Sequence, residues 1–293
     1  MAIELVTEYQ PHVDELFTTG SKKSILTNND FEWSGAHTIK AYKISTSEMN
    51  DYNRNPEAGF SGSRYGSIKD LDATTEEFTL TKDRSFTFAI DKLDADETKR
   101  QLAAATALAR QQREVIIPEV DSHVYGVMCK NAGTKPEPVE LTEDNIYDEI
   151  IKASAVLDDA EVPDTERYLI VVPQTLLLMK KNPLIESNSD VGQELRVKGV
   201  VATLDGMNVV KVPANRVPEG FGFMLCHPVA TVAPTKLESY KVHEDPPGIS
   251  GSLVEGRIVY DAFVLDNKVK AIYYQENKTE TAVTPPSGGE DGA

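Results

Sequence analysis

The longest periodic pattern in the chain is a run of apolar and small residues at helical spacing between residues 95 and 132. The steps of three, four and seven residues are those of one face of an α-helix. The positions on this face are Leu102, Ala105, Ala109, Ile116, Val120, Val124 and Val127. Asp94 or Asp96 is placed to cap the first turn, and Gly133 to take the left-handed conformation that ends many helices. The pattern predicts a helix about 55 Å long, more than a domain of this size needs for its own core.

Pro118 interrupts this helical pattern. Proline has no amide hydrogen, and its ring clashes with the carbonyl group four residues earlier. We therefore expect a kink or a break between Val115 and Pro118.

Two stretches with the two-residue alternation of half-buried strands precede the helix, at residues 37–44 and 75–91. The polar, glycine-rich segment between them is much longer than the two to five residues of an ordinary hairpin loop. Such a loop is typical of a lid, a binding loop or an extension that reaches a neighbouring molecule. Tyr52, Phe60 and Tyr65 are its candidate contact residues.

A second unit is predicted after the helix, between residues 141 and 249. Its predicted elements are a helix from Ile146 to Ala160, a buried strand at 167–172, a short helix that Pro173 opens, a type I′ hairpin at Asp205-Gly206, and strands at 221–226 and 229–234. Helices packed on one small mixed sheet make a self-sufficient α/β unit.

The two ends of the chain differ from these units. Residues 1–35 predict an arm, and Trp33 is expected to anchor it by packing where it meets the first strand. After turn-forming residues at 245–251, the pattern predicts a long strand pair that flanks Asp266-Asn267. Residues 276–293 have the composition of a disordered tail.

Composition narrows the class of protein. The net charge of −17 disfavours nucleic-acid binding, which needs clustered Lys and Arg side chains. No run of 18 apolar residues is present to span a membrane, and the first residues lack the pattern of a secretory signal. Cys129 and Cys226 are far apart in sequence and form no CxxC pair, so we expect two buried thiols.

The sequence contains no convincing catalytic or binding motif. It has no phosphate-binding glycine loop, no GxSxG elbow and no pair of histidines at metal-binding spacing. We therefore predict no catalytic, cofactor-binding or metal-binding residues and no enzymatic activity.

The order of these parts, with four local strings, resembles a known family. The strings are REVIIPEVDSHVYGVM (113–128), VPQTLLLMKKNPLI (172–185), VKGVVATLDGMNVVKVP (197–213) and GRIVYDAFVLDNKVKAIYY (256–274). They resemble the spine helix, the strand-exit helix, the axial strand-turn-strand and the terminal strands of the major capsid proteins of tailed bacteriophages. The resemblance covers residues 1–275 and implies the Hong Kong 97-type shell fold, of the α+β class.

The resemblance implies a division of the chain. The expected parts are an N-terminal arm (1–35), an extended β-hairpin loop (36–92), a peripheral domain with the spine helix (93–140), an axial α/β domain (141–249), returning strands of the peripheral domain (250–275) and a disordered tail (276–293).

It also implies a structural role, in which many copies form hexamers and pentamers that close into an icosahedral shell around double-stranded DNA. The protein would be part of the virion capsid and would assemble in the host cytoplasm. Its expected partners are other copies, a separate scaffolding protein, a portal and decoration proteins. The DNA would be enclosed without sequence-specific binding, and neither a cofactor nor a membrane is implied.

In such a shell, the extended loop would lie over a neighbouring subunit. The expected inter-subunit contact residues are Trp33, Tyr52, Arg54, Phe60, Arg64, Tyr65 and Lys69. Some relatives cross-link a loop lysine to a neighbour's asparagine, but no motif match assigns that chemistry to Lys69. We expect noncovalent contact there.

Two other classes of protein remain open at this point. The shell proteins of encapsulin-type compartments share this fold, but their shells enclose a cargo enzyme. A small α/β metabolic enzyme would need a convergent polar pocket, which the sequence does not indicate.

Overall fold

The structure is a computed structural model of the 293-residue chain. It describes residues 20–28, 38–44, 46–55, 57, 61–67, 69–70, 73–93, 104–182 and 200–278. The predictions for most of the arm, Trp33, Phe60, the helix cap at Asp94 or Asp96, and the tail after residue 278 lie outside the described residues.

The described residues form five α-helices and twelve strands. The helices are α1 (Lys23–Leu26), α2 (Ala104–Gln111), α3 (Ile117–Lys130), α4 (Ile146–Asp159) and α5 (Pro173–Lys181). The strands are β1 (Thr38–Ile44), β2 (Ala73–Thr79), β3 (Lys82–Asp91), β4 (Tyr168–Val171), β5 (Val200–Leu204), β6 (Met207–Lys211), β7 (Phe221–Cys226), β8 (Thr231–Val232), β9 (Thr235–Glu244), β10 (Gly251–Tyr260), β11 (Phe263–Val264) and β12 (Ile272–Glu276).

One continuous helix runs from Ala104 to Lys130, and we call it the spine helix. It consists of α2, a π-helical turn at Gln112–Ile116, and α3, whose first turn contains Pro118. A π turn is wider than an α turn because its backbone hydrogen bonds span five residues. The predicted break before Pro118 is therefore absent: the helix is continuous, and a π turn lies directly before the turn that contains Pro118.

The π turn also explains which part of the predicted helix face is buried. Val120 and Val124 lie in the core, as expected, together with Tyr125 and Met128. Ala109, from the same predicted face, is exposed. The extra residue in the π turn rotates α2 relative to α3, so one straight stripe cannot describe both halves.

The main core lies between α3, α4, α5 and a five-stranded sheet. The strand order is β12-β7-β4-β6-β5, and only β4 and β6 are parallel neighbours. All four residues of β4 are buried, which confirms the prediction of a buried strand from its continuous apolar run. Asp205 and Gly206 have φ values of 48° and 75°, so the predicted type I′ hairpin between β5 and β6 is confirmed.

A second sheet of three long antiparallel strands packs against the first half of the spine helix. Its order is β3-β10-β9. The two shorter sheets are the hairpin of β1 and β2 and the small pair of β8 and β11. Strand pairing thus places β3 and β9 beside β10, and β12 in the five-stranded sheet. The boundaries given above for the domains stay predictions.

The strand pair predicted around Asp266-Asn267 is wrong. Asp266–Ala271 is a 3₁₀ helix, and β10 and β12 belong to different sheets. The first four residues of β12 are consecutively buried, so this strand needs cover on both faces, which the five-stranded sheet provides. The run at 229–234 is likewise mostly irregular, with only Thr231–Val232 as strand.

The predicted left-handed cap at Gly133 is also wrong. The spine helix ends at Lys130, and Gly133 lies outside the positive-φ residues. Its N–H donates to the carbonyl oxygens of Val269 and Ile272, at 2.9 and 3.1 Å. A Cβ atom at Gly133 would lie 2.4 Å from the Val269 oxygen. Glycine is needed here for close backbone approach, since no left-handed turn is present.

This close approach predicts the effect of adding one methyl group. We expect Gly133→Ala to reduce the free energy of unfolding by about 1–3 kcal/mol, because backbone must move to make space. Gly126→Ala is the matched control: Gly126 lies within α3, and a Cβ there would have no atom within 4 Å. That control should be neutral or stabilising by about 0.5–1 kcal/mol. Urea unfolding of both variants measures the difference, and equal effects would contradict the assignment.

Candidate assembly surface

The hairpin of β1 and β2 forms a separate two-stranded sheet. Seven residue pairs join the strands, from Thr38 opposite Thr79 to Ile44 opposite Ala73. Among the described residues, no other strand pairs with it. Two-stranded hairpins are at best marginally stable alone. The direction of the hairpin therefore depends on the contacts at its base.

The loop that connects β1 and β2 folds back on itself. The Asn53 N–H donates to the Arg64 carbonyl oxygen at 2.9 Å. Next to this bond, the rings of Tyr52 and Tyr65 meet edge to face, with centroids 5.0 Å apart. Gly66 supports the return with a φ of 90°, which favours glycine. The loop is thus a shaped element that presents aromatic side chains.

Three large apolar or aromatic side chains of this loop face solvent. Met49 is 99% exposed, Tyr65 78% and Tyr52 51%. We call these three the exposed loop residues. Side chains of this size usually find cover in a folded protein, and a group of them exposed on one loop is typical of an interaction surface.

The structure places the other predicted contact residues as follows. Arg54 and Arg64 are exposed on the same loop as the tyrosines. Lys69 lies 3.7 Å from Glu48, an exposed ion pair that contributes little stability. Trp33 and Phe60 lie outside the described residues. Met49 was missed, although an apolar residue within a polar loop sequence is a usable signal.

A small apolar cluster holds the base of the hairpin. Phe78 of β2 packs with Val232 and Leu265, and these three side chains are at most 7% exposed. The Phe78 ring lies 4.9 Å from that of Phe263. The side of β2 that faces the body is thus fixed against β8 and β11.

Lys43 adds an ionic contact nearer the loop end of the hairpin, where it lies opposite Thr74. Its Nζ lies 2.6 Å from Asp266 and 3.1 Å from Glu76. The hydrogen bond to Asp266, followed by that to Glu76, raises the pKa of Lys43 against the opposing effect of burial. The same bond lowers the pKa of Asp266. Lys43 thereby joins the hairpin to the 3₁₀ helix that follows β11.

A buried carboxylate fixes the point where the hairpin continues into β3. Asp261 is 4% exposed. It accepts hydrogen bonds from the Thr81 N–H at 2.8 Å, the Thr81 hydroxyl at 2.7 Å and the Ala262 N–H at 2.9 Å. Its other close contact is His123 Nε2 of the spine helix, at 2.7 Å. We call Asp261, Thr81 and His123 the Asp261 junction.

Burial alone would raise the pKa of Asp261. The hydrogen bonds from His123, from the Thr81 hydroxyl and from the two backbone amides outweigh burial and hold this pKa below its usual value of 3.8. The carboxylate is therefore charged at neutral pH, where it connects the hairpin, the spine helix and the end of β10.

The root of the N-terminal arm is fixed to the spine helix by a second buried carboxylate. Asp121 accepts from the Ser21 hydroxyl at 2.5 Å and pairs with Arg216 at 2.9 Å. Asp121 and Arg216 are only 1% and 3% exposed, and Arg216 also approaches the Gly20 carbonyl oxygen at 3.5 Å. Removing one partner of such a pair leaves a buried charge uncompensated, which is strongly destabilising.

A polar pocket of about 750 Å³ lies beside α4 and the β5–β6 turn. Its cation, Arg167, is only 4% exposed. The guanidinium donates to Asp158 at 2.5 Å, to Asp164 at 3.0 Å, and to the carbonyl oxygens of Val162 and Pro163. These bonds hold the segment between α4 and β4 in place, so Arg167 has a structural role here.

The remaining sequence predictions concern cysteines, metals and membranes. Cys129 and Cys226 are both free and buried, as predicted, and burial raises the pKa of each thiol to about 12. The described part of the chain contains no group of three or more His, Cys, Asp or Glu side chains arranged to hold a metal ion. Nor does it contain a helix with the length and apolar character that crossing a membrane requires.

The whole arrangement matches solved structures from phages. The capsid structure of the cyanophage P-SCSP1u aligns over 93% of this chain and 92% of its own, with a TM-score of 0.70 and 12% identity. The asymmetric unit of the mature capsid of bacteriophage PhiM1 aligns over 94% and 92%, with a TM-score of 0.67 and 12% identity. A structure from Mycobacterium phage Che8 aligns over 94% and 98%, with a TM-score of 0.66 and 18% identity.

These likenesses define the class of fold. No family model and no curated protein matches the sequence. The solved structures match almost end to end, so the chain has the fold of the phage capsid chains, and the predicted α+β capsid fold is confirmed. At 12–18% identity, the likeness is one of structure.

The Asp261 junction predicts a pH-dependent contribution to stability. Because the folded-state pKa of Asp261 is lowered, its contribution is full above pH 3.8 and is lost as the pH falls through the folded-state value. Asp261→Asn should reduce the free energy of unfolding at pH 7 by about 1–3 kcal/mol. The deficit should shrink as the pH falls below 4. Urea unfolding at several pH values measures it.

Asp83→Asn is the matched control for this prediction. Asp83 is also a carboxylate with a lowered pKa, but its partner Arg257 lies with it on the exposed face of the three-stranded sheet. Because exposed ion pairs contribute little, this variant should stay close to the unchanged protein. A loss equal to that of Asp261→Asn would show that the buried position is not what matters.

Proposed function

We propose that this chain is the major capsid protein of a tailed double-stranded DNA bacteriophage or prophage, and that its copies assemble into an icosahedral shell around the genome. The observation that carries the proposal is the near end-to-end match to two phage capsid structures. The aligned parts cover 93% and 94% of this chain and 92% of each of the two capsid chains. A match of this extent reaches well beyond the compact core of the chain.

The exposed loop residues support a role in assembly. A long polar loop loses conformational entropy when it is ordered, and burial against a neighbouring copy offsets this loss. The loop and the surface that it covers are different parts of the subunit, so each contact is head-to-tail. Head-to-tail contacts close into rings when the rotation between copies permits it. Rings of five and six such subunits are the units of the proposed shell.

The charge of the chain suits a container for DNA. A net charge of −17 gives the subunit no general affinity for phosphate groups. Enclosed DNA would be held by the closed wall, without sequence-specific binding. We infer that the protein has a structural role in the virion and assembles in the host cytoplasm.

The proposed partners are other copies of the chain, in hexamers and pentamers, with a separate scaffolding protein, a portal and decoration proteins. The test is electron microscopy of the purified protein. We expect closed icosahedral shells, and monomers or dimers under all assembly conditions would contradict the proposal. Shells that consistently contain a cargo enzyme and no packaged DNA would instead identify an encapsulin-type compartment.

The exposed loop residues give a sharper test of how the shell forms. Tyr52→Ser together with Tyr65→Ser should lower the yield of shells at least tenfold, because the loss of two buried aromatic contacts of about 1.5–3 kcal/mol each weakens every loop contact. The yield is measured by sedimentation and electron microscopy. The unfolding midpoint of the subunit should stay the same, since both rings face solvent.

The matched control is Tyr52→Phe together with Tyr65→Phe, which keeps both rings. This variant should assemble like the unchanged protein. Normal shells from the serine variant would show that the loop does not carry an assembly contact. A lowered unfolding midpoint in the serine variant would show that the rings stabilise the subunit itself.

A further inference from the structure

The π turn of the spine helix lies beside a pocket that it fills poorly. The pocket, about 350 Å³, lies between α2 and the three-stranded sheet. Its lining residues are Phe88, Ala89, Ile90, Ala107, Arg110, Gln111 and Glu114. The sheet side is thus apolar, whereas the helix side presents a small residue and three polar or charged ones.

Two adjacent residues of the π turn have unfavourable surroundings. One carboxylate oxygen of Glu114 is buried and has no hydrogen-bond partner among the described residues. A buried acceptor without a donor is costly. The next residue, Val115, is 46% exposed. The polar side chain therefore lies towards the sheet, and the apolar side chain lies towards solvent.

A regular α-helix would reverse this placement. A π turn holds one residue more than an α turn, so α2 is shifted by one residue, or about 1.5 Å and 100°, from the regular continuation of α3. If α2 moved back by one residue, each residue against the sheet would be replaced by its successor. Leu108 would replace Ala107, and Val115 would replace Glu114.

We propose that the spine helix has two registers: the π register seen here, and a regular α register in which Leu108 and Val115 face the three-stranded sheet. The α register places Leu108 and Val115 against the sheet, keeps glutamines (Gln111 and Gln112) at the two positions between them, and returns Glu114 to water. The π register keeps α2 in its present place and exposes Val115. A neighbouring molecule that covers Val115 favours the π register, so the helix couples an outer contact to packing inside the subunit.

This proposal concerns the single subunit and goes beyond the assembly role. Its probe is the reaction of a thiol reagent with Ala107→Cys in the full-length chain. Ala107 lines the pocket in the π register and turns away from the sheet in the α register. Ala109→Cys is the matched control, since Ala109 is already exposed. The native thiols are buried and do not compete.

The decisive comparison is between each cysteine variant and the same variant with Val115 deleted. The deletion takes out the extra residue of the π turn. α2 and α3 then form a regular helix with α2 in its present place, so no second register remains. A minor state at about 0.1–10% gives Ala107→Cys a measurable rate relative to Ala109→Cys. Ala107 is half-buried, so a thiol there also reacts in the π register; we therefore expect removal of Val115 to lower the Ala107→Cys rate by up to about a tenth of the Ala109→Cys rate and to leave the Ala109→Cys rate unchanged.

Two results would overturn the proposal. One is an equal Ala107→Cys rate with and without Val115. The other is labelling of Ile90→Cys that is as fast as the labelling of Ala107→Cys. Ile90 lies on the sheet side of the pocket, so such labelling would show that the whole helix detaches from the sheet. If circular dichroism shows that the deletion variant is unfolded, Val115→Gln replaces it. Val115→Gln keeps the number of residues but puts an amide in the pocket whenever the helix adopts the α register. It therefore disfavours that register and should also slow the labelling of Ala107→Cys.

Discussion

The point at which the hairpin of β1 and β2 continues into β3 depends on one buried carboxylate, that of Asp261. Its contacts reach Thr81, between the hairpin and β3, and His123, on the spine helix. A two-stranded hairpin has no core of its own. The apolar cluster around Phe78 limits how the base can move, and the Asp261 junction sets the point from which the hairpin leaves the body.

The same part of the spine helix also holds the arm. Asp121 fixes the arm root through Ser21, and His123, two residues later, contacts Asp261. Residues two apart in a helix lie on different faces, so α3 fixes the two extended segments on different sides. The π turn lies just before this region and separates it from α2, which packs on the three-stranded sheet. Within the spine helix, α3 therefore fixes the arm and the hairpin, whereas α2 packs on the three-stranded sheet.

Local chemistry in the sequence predicted most elements but few of the contacts that join them. The hairpin at Asp205-Gly206 was predictable because the turn geometry selects those residues. The role of Gly133 was not, because it depends on backbone from residue 269. His123 and Asp261 are 138 positions apart, and nothing near either residue indicates the other. The long loop was predictable from length and polarity, and its exposed tyrosines were singled out by their contrast with the polar surroundings.

The charge of the subunit limits which contacts can hold copies together. At −17, copies repel one another, but at physiological salt the repulsion is screened beyond about 8 Å. In the proposed shell, contacts between copies would therefore be short-range, and apolar side chains that exclude water would provide them. Of the seven large hydrophobic side chains exposed in the described residues, Met49, Tyr52 and Tyr65 share one loop, while Leu93, Val115, Leu177 and Val242 lie on other elements. The exposed apolar side chains are thus concentrated on the loop of the hairpin that the Asp261 junction joins to the body, so the geometry of the proposed shell would depend on that junction more than on the net charge.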